Sequence, residues 1–279
     1  MNDPYFINEP AAISFSGGRT SAYMLYKILE AHNGKLPDDV YVTFANTGKE
    51  MPETLDFVQA CSDNWDVPIV WLELVDPHIN QKGVPVEYRV TNHSNASRNG
   101  EPFEALLHSS PAIPNAVARN CTAYLKTRVM RRYMDDQDFD RGCLSYIGIR
   151  GDEKRRAIKL HMQKSEGFMC VLPLYEDGVA VAEIGEFWGK QNFDLQLPNH
   201  NGVTDWGNCD LCFLKGRSKR LSIIRERPDL ADWWIAAEKM KGQQFRRDEA
   251  SYEQMKLIAS DQGQLFDFDD ESIPCFCGD

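Results

Sequence analysis

Ile13-Ser14-Phe15-Ser16-Gly17-Gly18-Arg19-Thr20-Ser21 carries an apolar run through a glycine pair into a helix-forming stretch. Ala11 to Phe15 reads as a strand, Gly17-Gly18 as a tight turn, and Tyr23, Met24, Tyr26, Lys27, Ile28 and Leu29 as a helix. Such a turn has a physical use. Glycines let the backbone approach phosphate oxygens, successive N–H groups point inward, and the helix N-terminus adds partial positive charge. Ser14, Ser16, Gly17, Gly18, Arg19, Thr20 and Ser21 are therefore candidate nucleotide-binding residues, with Gly18 expected to need the unusual backbone angle. An ordinary capped helix start is the plainer alternative. The spacing matches neither the Walker pattern nor G-x-G-x-x-G.

Outward from this turn, Val40 to Ala45 forms a second strand that runs into Asn46-Thr47-Gly48, and Pro52 opens a helix containing Leu55, Phe57 and Val58. A third strand is expected at Ile69 to Val75. Strand and helix alternating at this spacing predict an α/β Rossmann-like parallel sheet with helices on both faces, because parallel neighbours need crossovers. Residues 76–120 are rich in Pro, Asn, Ser and Gly and read as a long insertion or active-site loop, with one helix near Phe103 to His108. A helix from Thr122 to Met134, strands at Leu144 to Ile149 and Phe168 to Leu174, and a helix from Val181 to Phe193 complete an α/β domain over residues 1–198. A cysteine-bearing loop and helices near Arg217 to Arg225, Leu230 to Met240 and Glu249 to Ser260 fill residues 199–262, and residues 263–279 read as an acidic mobile tail.

Hydrophobic residues at 42% and charged residues at 26% describe a globular chain rather than a disordered one. Neither a secretion signal nor an uninterrupted apolar run of membrane-spanning length is present, so a cytoplasmic protein without membrane contact is expected. A net charge of −11 repels polyanions, so contact with nucleic acid would need a local basic patch. Two runs qualify: Arg119, Lys126, Arg128, Arg131 and Arg132, and Lys215, Arg217, Lys219, Arg220, Arg225 and Arg227. Solvated helix faces are the alternative.

Of the eight cysteines, Cys61, Cys143 and Cys170 lie singly in apolar or strand-like contexts and read as core residues. Cys121, Cys209, Cys212, Cys275 and Cys277 lie in polar surroundings. Cys209-x-x-Cys212 is half of a metal site, to which a distant Cys121 would add a third thiolate. Zinc completed by a further Cys or by His200, and a thiol pair without metal, are the alternatives. The histidines show no metal-type spacing, and Trp188, Trp206, Trp233 and Trp234 read as core.

Several segments in order resemble the phosphoadenosine phosphosulfate reductase superfamily. Ser16 to Ser21 is similar to the PP-loop of N-type ATP pyrophosphatases, and Asn46-Thr47-Gly48 with Pro52-Glu53-Thr54 resembles the segment after that family's second strand. Cys121-Thr122-Ala123-Tyr124-Leu125-Lys126, Gly148-Ile149-Arg150-Gly151-Asp152-Glu153 and Gly207-Asn208-Cys209-Asp210-Leu211-Cys212 resemble its later elements. The resemblance implies nucleotide contacts from Asn46, Thr47, Gly48, Glu53 and Gly148 and catalytic roles for Lys126, Arg150 and Asp152. Arginine and lysine suit phosphate or sulfate oxygens, and a carboxylate suits those bases or Mg²⁺ carried with ATP; a surface ion-pair cluster is the alternative. An intact PP-loop implies ATP cleavage at the α,β bond and sulfur transfer to an acceptor such as nucleic acid. Degraded loops accompany reduction of a preformed adenylyl sulfate. A [4Fe-4S] cluster on Cys121, Cys209 and Cys212 is implied by tRNA-thiolating relatives, and a sulfur-donor protein or thiol reductant by the chemistry. Cys277-Gly278 resembles a remnant of the C-terminal thiol motif of the reductases, which makes Cys277 a candidate nucleophile or a fourth ligand.

Overall fold

The computed structural model describes residues 3–139, 143–162, 168–200 and 203–261. The tail with Cys275 and Cys277 lies outside them, as does the side chain of His200. Strand β1 (Ala11–Ser14) leads into helix α1 (Arg19–Ala31), β2 (Val40–Ala45) into α2 (Pro52–Trp65), and β3 (Ile69–Asp76) follows. The apolar positions of α1, including Ala22, Met24, Leu25 and Ile28, are buried, as the helical pattern requires. Pro52 starts α2 where its missing N–H costs nothing, and Asp66 stops it in a left-handed conformation.

The segment read as a loop contains β4 (Glu87–Thr91) and α3 (Glu101–Ser109). β4 pairs antiparallel with β3, so the sheet is mixed at one edge and not wholly parallel as expected. Exposed Glu87, Arg89 and Val90 hid the strand, because an edge strand buries too little to show an apolar alternation. The next helix has three pieces: α4 (Asn120–Thr122), a π-helical turn (Ala123–Thr127) and α5 (Arg128–Asp135). After β5 (Cys143–Ile147) and α6 (Lys154–Met162), β6 (Phe168–Val171) ends earlier than expected, because Pro173 opens α7 (Pro173–Glu176). Likewise α8 (Val181–Trp188) stops before Gly189 rather than reaching Phe193. The short pair β7 (Asn199–His200) and β8 (Val203–Thr204) precedes α9 (Arg217–Glu226), α10 (Leu230–Lys241) and α11 (Tyr252–Asp261).

The sheet order is β4-β3-β2-β1-β5-β6, with every neighbour parallel except β3 and β4. From the central β1 the chain first builds outward through β2 and β3, then returns to place β5 and β6 on the other side. The carboxyl ends of β1 and β5 thus flank a topological switch point, where open α/β sheets bind ligands. A continuous core of buried residues runs from Tyr5 to Met255 and joins the late helices to the sheet. Phe103 of α3 packs against Trp233, Trp234 and Phe245, with ring centroids 5.2, 5.8 and 6.3 Å away. Cys61 and Cys143 are buried as expected, while Cys170, on the edge strand β6, is only partly covered. No described helix is long and apolar enough to cross a membrane.

Glu73, a charge inside an apolar strand, fastens the insertion to the sheet. Fully buried, it accepts hydrogen bonds from Asn46 Nδ2 (2.6 Å), Ser97 N (2.7 Å), Ser97 Oγ (2.9 Å) and Arg89 Nη2 (2.6 Å). Replacing it orphans buried donors, each worth about 1–3 kcal/mol. Glu73→Ala is expected to lower unfolding free energy by about 2–4 kcal/mol in urea titration and to speed proteolysis within residues 92–100.

Candidate functional site

The glycine-rich turn closes on itself. Ser16 N donates to Ser21 Oγ (3.2 Å), the two serine hydroxyls are 2.9 Å apart, and Ser21 Oγ donates to Gly18 O (3.0 Å). Gly18, the residue before α1, has φ −103° and an extended backbone, so the unusual angle expected there belongs instead to Gly17, at φ 79°. A side chain at Gly17 would also meet Thr54 Cγ2 at 2.6 Å, Val58 Cγ2 at 3.2 Å and Phe44 at 3.3 Å. Position 17 therefore demands glycine twice over, by conformation and by space. Helix α1 begins with no side-chain cap and no acidic residue in its first turn, leaving its N–H groups and dipole open to an anion.

The loop after β5 meets this turn from the other side. A Cβ at Gly148 would stand 3.0 Å from Ser21 Cα and 3.2 Å from Ser21 N, so glycine permits the approach. Arg150, two residues later, reaches Thr20 Oγ1 at 3.4 Å and is held by Asp152 (2.9 Å) and Glu153 (3.7 Å). Glu153 also accepts from Arg150 N (3.0 Å) and pairs with Arg156. Asp152 also accepts from Val181 N (3.1 Å), so this carboxylate organises the loop and the start of α8. Arg19 turns its side chain away from the turn. Its guanidinium is buried against Asp194 (2.7 and 2.8 Å), Thr204 Oγ1 (2.7 Å) and Leu195 O (2.6 Å), leaving its backbone N–H as its contribution to the turn. Ser14 Oγ lies 3.8 Å from Met130 Sδ, at the base of the crevice.

A second cluster forms where the chain leaves β2. Asn46 caps Gly48 N through Oδ1 (3.1 Å), Thr47 N donates to Glu50 (2.9 Å), and Glu50 pairs as an isolated antiparallel bridge with Cys209. Lys49 Nζ is buried 2.9 Å from Asp210, whose carboxylate also accepts from Trp234 Nε1 (2.7 Å) and Leu211 N (2.6 Å). Lys126, in the π-helical turn, lies 3.9 Å from Glu50. The contacts thus put Lys126 with Glu50 and Arg150 with Thr20. In the first turn of α2, Glu53 Oε2 and Thr54 Oγ1 are buried without hydrogen-bond partners.

Cys209 is buried. Burial pushes its thiol well above the ordinary range and Glu50 adds to the shift, with Lys126 and Thr47 opposing it. Cys212 follows closely enough to affect it, and Cys121 sits partly exposed in α4. Among the described residues no group of three or more His, Cys, Asp or Glu is placed to hold a metal ion. Glu50, Glu73, Asp194 and Asp210 were missed as organising residues. Glu73 carried a legible signal, a carboxylate in an apolar strand, whereas the others depend on partners distant in sequence.

The model for the phosphoadenosine phosphosulfate reductase domain matches residues 10–176, which span both halves of the crevice. The chain belongs to this family. It is also 32% identical over 211 residues to the uncharacterized nin region protein ORF290 of Escherichia phage lambda, an alignment covering 74% of this chain and 67% of that protein. That alignment is longer than the reductase-domain match, so the likeness continues beyond the domain.

Gly17→Ala is expected to reduce nucleotide affinity by at least about tenfold, since strain of about 1–3 kcal/mol must be relieved by moving the turn. Calorimetric titration with ATP and with adenylyl sulfate checks it. Unchanged affinity for both in a folded variant would remove the turn from the site.

Proposed function

We propose that this member of the phosphoadenosine phosphosulfate reductase family binds ATP at the Ser16–Ser21 turn and uses it to activate an acceptor for sulfur transfer. The observation that carries the reading is the turn itself: Gly17 held at φ 79° before an uncapped helix, with Arg150 beside Thr20. N–H groups preorganised around phosphate cost little rearrangement when charge develops on the leaving pyrophosphate. An acceptor oxygen attacks the α-phosphorus, the bond to the bridging β-phosphate oxygen breaks, and pyrophosphate departs; Mg²⁺ carried with ATP would neutralise its charge. The terminal sulfur of a donor persulfide then attacks the activated carbon, and AMP leaves with the acceptor oxygen; a second thiol cleaves the remaining S–S bond, freeing the thiolated acceptor and leaving a disulfide with the donor. Arg150 stabilises the non-bridging oxygens, and the orphaned Glu53 Oε2 and Thr54 Oγ1 suit nucleotide donor groups. Lys126, held beside Glu50, supplies a cation next to the crevice.

The description of the matching domain favours a second reading, reduction of an adenylyl sulfate. There a thiolate, with Cys277 as the candidate, would attack sulfur and expel AMP. A second thiol would then release sulfite and leave a disulfide. A nucleotide sensor without turnover is the remaining class. Incubation with ATP, acceptor RNA or DNA and labelled pyrophosphate is expected to give exchange into ATP. Sulfite formed from adenylyl sulfate and a thiol, without exchange, would establish the second reading instead, and nucleotide binding with neither would establish the sensor. Arg150→Ala is expected to lower the exchange rate on the order of 10²-fold, as for loss of one donor to developing charge.

A further inference from the structure

A cleft of about 440 Å³ lies between the 77–86 loop and the helix formed by the π-helical turn and α5. Its lining includes Lys82, Arg128, Arg131 and Arg132 against a single carboxylate, Asp135. This runs against the chain as a whole, whose net charge is −11, so the local sign needs a reason. Arg131 and Arg132 each meet a carboxylate one helical turn on, Asp135 at 2.7 Å and Asp136 at 2.6 Å. An i,i+4 pair open to solvent, as Arg132–Asp136 is, contributes little, so its arginine can turn to a phosphodiester at small cost.

The cleft also offers a flat surface. Arg128 stacks its guanidinium over the Tyr124 ring at 4.1 Å, and both residues line the cavity. Cationic side chains that follow a backbone, beside a planar platform that takes bases, are the two parts of a site for single-stranded nucleic acid. An acidic protein surface would need only the charges. The volume falls within the range of about 300–1,000 Å³ typical of small-ligand sites, enough for a nucleotide unit.

Its position fits an acceptor. β3 ends at Asp76, so the 77–86 loop leaves the sheet at the carboxyl edge that also carries the Ser16–Ser21 turn. The same π-helical turn presents Lys126 to Glu50 and Tyr124 to the cleft. We propose that this cleft binds single-stranded nucleic acid, seating the acceptor strand beside the nucleotide crevice. The proposal rests on the reading that the acceptor of sulfur is a nucleic acid.

The test measures fluorescence anisotropy of a labelled, mixed-sequence single strand of about a dozen nucleotides on the full chain, with ATP binding followed in parallel. Arg128→Glu and Arg132→Glu are each expected to weaken oligonucleotide binding more than tenfold, with the slope of log affinity against log salt falling by about 0.7 per lost phosphate contact. Tyr124→Leu is expected to weaken binding without changing that slope, and Arg225→Glu, in the other basic run, to leave affinity unchanged. Equal loss from Arg225→Glu would overturn the proposal, leaving diffuse charge as the cause. So would a polyglutamate peptide that binds as tightly as the oligonucleotide. A wild-type chain that binds ATP but no oligonucleotide overturns the cleft alone. One that binds oligonucleotide at the cleft but no ATP supports the cleft and sinks the ATP-dependent reading.

Discussion

The left-handed backbone at Gly17, wedged against Phe44, Thr54 and Val58, is the constraint on which the proposed nucleotide crevice depends. A turn of this kind costs conformational energy and persists only where its surroundings leave no alternative. Here the walls come from different parts of the chain: Phe44 from β2, Thr54 and Val58 from α2, and on the far side Gly148 against Ser21. The direction of the N–H groups at the start of α1 is therefore set by the packing of β2, α2 and β5 around it. This is how the ordinary core of an α/β domain becomes a site. If phosphate binds there as proposed, few side chains meet it and most of the recognition lies in backbone held by apolar neighbours.

The segment leaving β2 extends that control to the late cysteine loop. Lys49 and Asp210 form a buried pair, and the backbone of Asp210 donates to Lys49 O at 2.7 Å. Buried ion pairs of this sort gain little net stability after desolvation, so what they contribute most clearly is position. Glu50, Thr47 and Lys126 surround Cys209 in the same way. A thiol whose pKa is raised by burial stays protonated near neutral pH, and its use as a nucleophile or ligand would require those surroundings to rearrange.

Much of this arrangement was legible because it is local. The apolar run into Gly17-Gly18, the repeat of strand and helix, and the proline at the start of α2 each announce themselves within a few residues. The elements misread are those whose form depends on distant partners. β4 is a strand only because β3 lies beside it, and its exposed face erases the alternation. Gly17 and Gly18 are equivalent on paper, and only the contacts of α2 decide which must take positive φ. Arg19 sits inside the phosphate motif, yet Asp194 and Thr204 claim its guanidinium. No local pattern could reveal a partner so far along the chain.

The capture of Arg19 has an electrostatic consequence. With that guanidinium neutralised at Asp194, the turn offers N–H dipoles and hydroxyls, and Arg150, which reaches Thr20, is itself balanced by Asp152 and Glu153. A site built from dipoles carries no net charge to repel or attract at long range, so it neither weakens the empty protein by self-repulsion nor draws polyanions indiscriminately. Its grip is short-range and partly buried, where added salt screens poorly. The arginines along α5, only partly covered, present the opposite physics, since point charges open to solvent act over about a Debye length and fade as salt rises. On the proposed reading, two anion sites of unlike salt sensitivity stand on one acidic molecule. That reading implies that raising the salt would release a longer polyanion from the helix before a small nucleotide leaves the crevice.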